Sequence, residues 1–192
     1  MTTIGLIRHG ITDWNIEEKA QGHSDIPLNE KGRIQAQRVA TRLLNENWDM
    51  LISSNLSRAG ETAQIIGKTL NIPTLLYDER LREINCGKIE GMTEEERVSK
   101  WGINWREADI EMEHYNDVAL RGEFVLKEII NSFNGKKVLV VSHGALIGLT
   151  LQKILPLQFP KTYIDNTSIT ILTYINQTWK CPLYNCTNHL YK

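Results

Sequence analysis

Two histidines occupy the same short context. Arg8-His9-Gly10 follows the apolar run at residues 3–7, and Ser142-His143-Gly144 follows the apolar run at residues 138–141. Each pair would stand at the carboxyl end of a buried strand, where open α/β sheets place their ligands. Arg58, in Ser57-Arg58-Ala59, follows a third short apolar run at residues 50–52, and Arg82-Glu83-Ile84 follows a fourth at residues 72–77. Taken singly, each is ordinary: an Arg-His-Gly is usually a surface turn, and a lone Glu83 a solvated acid. Together they put two arginines, two histidines and one glutamate at strand ends. Guanidinium forks suit tetrahedral oxyanions. A neutral imidazole can take a phosphoryl group as a nucleophile. A carboxylic acid can protonate a departing alkoxide. Fixed cations can meet the charge that builds on the phosphoryl oxygens. A cation at Arg58, in the first turn of a helix, opposes the helix dipole unless an anion lies between them. The helix after His143 is expected to offer its N–H groups to a phosphate.

The remaining pattern says which elements carry these residues. Ala36, Val39, Ala40 and Leu43 recur at helical spacing behind Asn29, a candidate N-cap. Ala59, Ala63, Ile66 and Leu70 form a second helical face, and Val125, Ile129 and Phe133 a third, closed by Gly135. Residues 146–155 read as a helix stopped by Pro156, and residues 169–175 as a β-branched strand. Pro73 marks the run at 72–77 as an edge strand. Strands alternating with helices predict a three-layer α/β/α fold with a mostly parallel central sheet in one domain, residues 1–192. Residues 92–120 break the alternation. They are acidic and carry Trp101, Trp105 and Tyr115, and they read as a helical lid over one end of the sheet. The three aromatics are expected to serve packing more than a substrate cage.

Composition narrows the function. The 192 residues hold 22 Lys+Arg against 23 Asp+Glu, a formal charge of −1, so no basic excess supports nucleic-acid binding. No apolar run approaches the roughly 20 residues of a membrane span. Arg8, His9 and Asp13 leave no room for an apolar signal core. Cys86, Cys181 and Cys186 are too few and odd in number for a disulfide framework, and lack zinc-ribbon spacing. The expectation is a cytoplasmic protein, monomer or homodimer, without metal or cofactor.

On these motifs the chain resembles the histidine phosphatase superfamily, the phosphoglycerate-mutase-like proteins, and within it the small phosphatase branch. Leu6-Ile7-Arg8-His9-Gly10-Ile11-Thr12-Asp13-Trp14-Asn15 is similar to the family's opening signature, continued by Gln21-Gly22, Asp25, Pro27-Leu28 and Gly32. Ser57-Arg58-Ala59 with Glu61-Thr62-Ala63 resembles its second arginine motif. Leu81-Arg82-Glu83 with Gly87 and Glu90-Gly91 resembles its acid motif, and Ser142-His143-Gly144 its second histidine motif. The resemblance implies that His9 is the nucleophile and Glu83 the general acid and then base. It implies that Arg8, Arg58 and His143 bind phosphoryl oxygens, with Gly10, Asn15, Gln21 and Gly22 around the phosphate. Four positions depart from the pattern: His23 for a frequent Trp, Phe124 for Ser, Gly148 for Arg and Cys186 for Asp. The Phe124 exchange would remove a support to the pocket.

The expected activity is hydrolysis of small phosphomonoesters through a phosphohistidine. A cofactor-dependent phosphoglycerate mutase is the first alternative. It needs extra cations for a bisphosphate and a carboxylate, and the chain has no Arg-Arg pair and a short, acidic insertion. A non-catalytic phosphate-binding module is the second alternative, but all five reactive residues are present.

Overall fold

The computed structural model describes residues 1–191. Six strands form one sheet: β1 (Thr2–Arg8), β2 (Met50–Ser53), β3 (Leu75–Tyr77), β4 (Lys137–Ser142), β5 (Ile169–Ile175) and β6 (Thr178–Cys186). Their order is β3-β2-β4-β1-β5-β6. The β3-β2, β2-β4 and β4-β1 pairings are parallel, while β1-β5 and β5-β6 are antiparallel. The sheet is therefore mostly parallel, with an antiparallel hairpin at one edge.

Alternation along the central strands decides what covers each face. Ile4 and Leu6 of β1 and Val138 and Val140 of β4 point into one core, against α5 (Tyr115–Ser132) and α6 (Gly144–Ile154). Ile7, Leu139 and Val141 point into the other, against α2 (Glu30–Leu43) and α3 (Ser57–Leu70). The result is the expected α/β/α sandwich. The Asn29 side chain caps α2 by accepting from the Gly32 N–H at 2.9 Å. Two further helices are short: α1 (Asp13–Ile16) and α4 (Glu94–Trp101). α4 opens on a capping box between Thr93 and Glu96.

The segment 92–120 is helical in part. α4 and a 3₁₀ turn at Trp105–Glu107 are followed by an extended stretch, and residues 115–120 are already the opening turns of α5. Trp105 is 3% exposed and belongs to the core beneath this segment, with Trp101 packed beside it, whereas Tyr115 is 56% exposed. Among the described residues no helix is long and apolar enough to cross a membrane. The three cysteines are free.

Candidate active site

The parallel register of β1 and β4 builds the site. Arg8 stands opposite Ser142, so the chain leaves both strands at the same level and delivers His9 and His143 side by side. The His9 N–H continues the ladder to the Ser142 carbonyl at 3.0 Å. β2 ends level with them, because Ser53 pairs with Val141 and the Ser54 N–H reaches the Val141 carbonyl at 2.9 Å. Ser54 Oγ lies 2.8 Å from His143 Nε2.

His9 is 2% exposed and its Nδ1 lies 2.7 Å from the Gly10 carbonyl oxygen. A carbonyl only accepts, so Nδ1 carries the proton and the lone pair is on Nε2. Burial, then Arg58 and Arg8, hold the His9 imidazole well below its ordinary value. The same burial, with Arg58 and His9 next in weight, lowers His143. Both rings are therefore neutral near pH 7. Gly10 is needed where it stands: a Cβ there would lie 2.5 Å from the Gly32 carbonyl oxygen at the start of α2. Its N–H is held by Thr62 Oγ1 at 3.1 Å.

Arg58 is 1% exposed. It donates through Nη1 to the Ser24 carbonyl and through Nη2 to the Gly22 carbonyl, both at 2.8 Å. Gly22 adopts a left-handed backbone, φ +50°, and a Cβ there would collide with the Glu90 carboxylate. Glu90 ties this loop down by accepting from the His23 N–H at 2.8 Å and the Ser24 N–H at 2.9 Å. Arg8 donates to the Ile164 carbonyl at 2.7 Å. Burial lowers both guanidinium groups from their ordinary value, with Glu83 the leading opposing influence. Four buried polar atoms of these elements have no partner in the protein: Arg8 Nε, Arg58 Nε, His143 Nδ1 and Gln21 Oε1. Such a cluster at one strand-end level is the mark of a polar ligand site.

Glu83 lies where sequence reasoning put a phosphate. Its Oε1 accepts from the Ile84 N–H at 2.9 Å and the Leu146 N–H at 3.1 Å, and its Oε2 from the Ala145 N–H at 3.2 Å. The first turn of α6 thus binds the acid, because a side-chain carboxylate satisfies those donors as well as a phosphate would. The chain carrying Glu83 is clamped by Arg121 of α5. Arg121 Nη1 donates to the Arg80 and Arg82 carbonyls at 2.7 and 2.6 Å, and Nη2 to the Glu83 carbonyl at 2.9 Å. Glu113 pairs with Arg121 at 2.8 Å and accepts from the Asn85 N–H at 3.0 Å. Neither Arg121 nor Ser54 was expected. The signal for Arg121 was present: it falls between Val118 and Val125, on the buried stripe of α5, where an arginine needs a reason.

Asn15 lies at the rim. Its Oδ1 closes the capping box of α1 on Thr12 and takes Asn166 Nδ2 at 3.3 Å. Asn166 also donates to the His9 carbonyl at 3.0 Å. Gln21 is 8% exposed, in the loop before Gly22. A cleft of about 390 Å³ opens beside Glu83, lined by Trp14, Asn15, Ile84, Met112, Tyr115 and Ala145 among others. Three of the departures resolve. His23 Nε2 lies 2.9 Å from the Glu83 carbonyl oxygen. Phe124 is 61% exposed beneath the Arg80 guanidinium, and the support expected of its helix comes from Arg121 instead. Gly148 lets α6 approach Thr162, whose Oγ1 would be 2.6 Å from a Cβ. Among the described residues no group of three or more His, Cys, Asp or Glu is placed to share a metal ion.

The sequence profile of the histidine phosphatase superfamily (branch 1) matches residues 4–187. The "Uncharacterized phosphatase PhoE" of Bacillus subtilis is 34% identical over 192 residues, covering 99% of this chain and 97% of the relative. The "Probable phosphoglycerate mutase GpmB" of Escherichia coli is 34% identical over 93% of this chain and 88% of the relative. The solved structure of Bacillus stearothermophilus YhfR superposes with a TM-score of 0.89 at 32% identity, covering 99% of this chain and all of that one. The family profile and the relatives each span nearly the whole chain, and the chain belongs to the histidine phosphatase superfamily.

Proposed function

We propose that this protein hydrolyses small phosphomonoesters by way of a phosphohistidine on His9, with no metal ion taking part. The observation that carries the reading is the fixed tautomer of His9, whose Nδ1 is committed to the Gly10 carbonyl so that Nε2 keeps its lone pair beside Arg8 and Arg58.

In the first step Nε2 attacks phosphorus and the P–O ester bond breaks, its electron pair going to the alcohol oxygen. Glu83 supplies the proton that makes this oxygen a neutral leaving group. Its Oε2 accepts a single N–H, from Ala145, so an oxygen lone pair remains to carry that proton. In the second step Glu83 takes a proton from water, the water oxygen bonds to phosphorus, and the N–P bond returns its electrons to Nε2. Arg8, Arg58 and His143 hold the phosphoryl oxygens throughout, and Gly10, Asn15, Gln21 and Gly22 shape the pocket around them. Fixed cations meet the phosphoryl charge, which supports a reaction that needs no metal.

Hydrolysis is favoured over mutase chemistry by the cations of the cleft. Lys19, Arg97 and Arg106 line it, but Lys19 is paired with Glu17 at 2.7 Å, and Arg97 and Arg106 with Glu94 at 3.2 Å each. A mutase must offer unpaired cations to the substrate carboxylate and second phosphate. A panel of phosphomonoesters assayed for phosphate release, alongside enzyme primed with 2,3-bisphosphoglycerate and given 3-phosphoglycerate, separates the readings. Phosphate release without interconversion of the monophosphoglycerates is expected; interconversion outpacing release would establish the mutase.

A further inference from the structure

Half of the arginines are paired with carboxylates: Arg33, Arg80, Arg97, Arg106 and Arg121. Of those without such a pair, Arg8 and Arg58 serve the site above, and Arg82 lies next to Glu83 with its Nε on Asn55 Oδ1 at 2.8 Å. The other two, Arg38 and Arg42, lie one turn apart on α2 and line one groove of about 560 Å³, a size typical of small-molecule sites. The groove runs between α2 and the C-terminal turn Asn188–Leu190; Ile34, Thr41, Asn188 and His189 complete its walls, and no acidic residue lines it.

Two of its lining residues also carry buried polar atoms that nothing in the protein answers. Arg42 Nη1 is buried with no partner, and His189, 6% exposed, has none for either ring nitrogen. Buried donors left unpaired are costly unless something answers them. Arg38 spends one nitrogen on the Leu190 carbonyl at 2.6 Å, which steadies the turn and leaves the rest of its fork for a ligand. Two unopposed guanidinium groups with the amides of Asn45 and Asn188 around them match the oxygens of a phosphate group, and Ile34 gives an apolar wall for what the phosphate carries.

We propose that this groove is a second phosphate-binding site, distinct from the catalytic pocket, which takes a phosphate or an organic phosphate on Arg38, Arg42 and His189. It shares no residue with the catalytic cluster. Its floor nevertheless backs onto that cluster: the His189 ring faces the Thr167 carbonyl, without a well-formed hydrogen bond, and the Thr167 N–H holds the Arg8 carbonyl at 2.9 Å. The inference does not depend on the hydrolytic reading.

Imidazole resonances of the ¹⁵N-labelled full chain test it, with His189 identified by the signals lost in His189→Gln. The probes are orthophosphate and phenylphosphonate, whose C–P bond no phosphatase step cleaves, each at constant ionic strength in chloride. Saturable shifts of the His189 signals are expected with at least one probe. They should persist in Arg58→Ala, which removes a cation of the catalytic pocket, and weaken about tenfold or more in Arg38→Gln/Arg42→Gln, as loss of charge-assisted hydrogen bonds implies. Arg38→Gln alone, at an exposed position, serves if the double variant folds poorly. Tighter binding of phenylphosphonate supports an organic phosphate, and equal binding supports free phosphate. Absence of saturable shifts with both probes at tens of millimolar, shifts equalled by chloride, or shifts unchanged in the arginine variants would overturn the proposal.

Discussion

The rings of His9 and His143 stand with centroids 5.1 Å apart and planes tilted by 58°. The pairing is a consequence of strand register, since Arg8 and Ser142 are partners in the β1-β4 ladder and each histidine is the next residue. Two imidazoles held this close and buried beside two arginines pay heavily for a proton, so the geometry selects the neutral form that a nucleophile needs.

That selection has a stability consequence. His9 and His143 lie well below the ordinary imidazole value of 6.5, and His189 falls to about 4, chiefly through burial. The unfolded chain therefore binds more protons than the folded one below pH 6.5. Stability is full above that value and falls as the pH drops toward the folded values. Urea midpoints are expected to decline between pH 7 and 5, above the usual carboxylate range, and His9→Gln/His143→Gln should flatten the decline. A midpoint constant over that interval contradicts the buried neutral histidines.

Glu83→Gln keeps shape and removes the transferable proton. A general acid contributes about 10²–10⁴-fold. Single-turnover phosphorylation from an alkyl phosphate should fall by that order, and from p-nitrophenyl phosphate, whose phenolate leaves largely unaided, far less. Equal losses would move the acid role to another group, with Glu107, Asp109 and Glu111 of the inserted segment the next to test.

Arg121→Met removes the clamp on the Glu83 segment without touching the phosphate pocket. The Arg80 and Arg82 carbonyls lose their donor, the Glu83 carbonyl keeps only His23 Nε2, and Glu113 loses its cation. Destabilisation of about 1–3 kcal/mol is expected from the unpaired groups. A merely structural role would lower all rates alike. The positioning role predicts a larger loss of kcat on alkyl phosphates than on p-nitrophenyl phosphate, with KM little changed, and partial recovery in Arg121→Lys.

Phosphate release should survive EDTA, because Arg8 and Arg58 carry the charge that a metal would otherwise meet. A rate lost in EDTA and restored by Mg²⁺ would contradict this part of the scheme.

Much of the frame was legible in the chain. The runs at 3–7, 50–52, 138–141 and 169–175 are strands, and the helical faces from Ala36, Ala59 and Val125 cover the sheet, because buried strands and amphipathic helices carry distinct periods. The sequence does not announce β6: Lys180, Pro182 and Asn185 interrupt its apolar pattern, which an edge strand tolerates. The strand ends placed His9 and His143 together, but pairing between distant segments is invisible to periodicity. So sequence reasoning gave the first turn of α6 to a phosphate, where Glu83 sits, and missed Arg121, whose partners are carbonyls 38 to 41 positions away. The inserted segment ends earlier than its acidic composition suggests, since nothing in that composition marks where α5 begins at Tyr115.

The central claim is that His9 carries the phosphoryl group. The direct measurement is to mix the enzyme with a ³²P-labelled phosphomonoester, quench in base within one turnover, and map the label by peptide analysis. The scheme predicts an acid-labile, base-stable phosphoramidate on the peptide containing His9, absent from His9→Ala along with turnover. Full turnover by His9→Ala, or label on another residue, would contradict it.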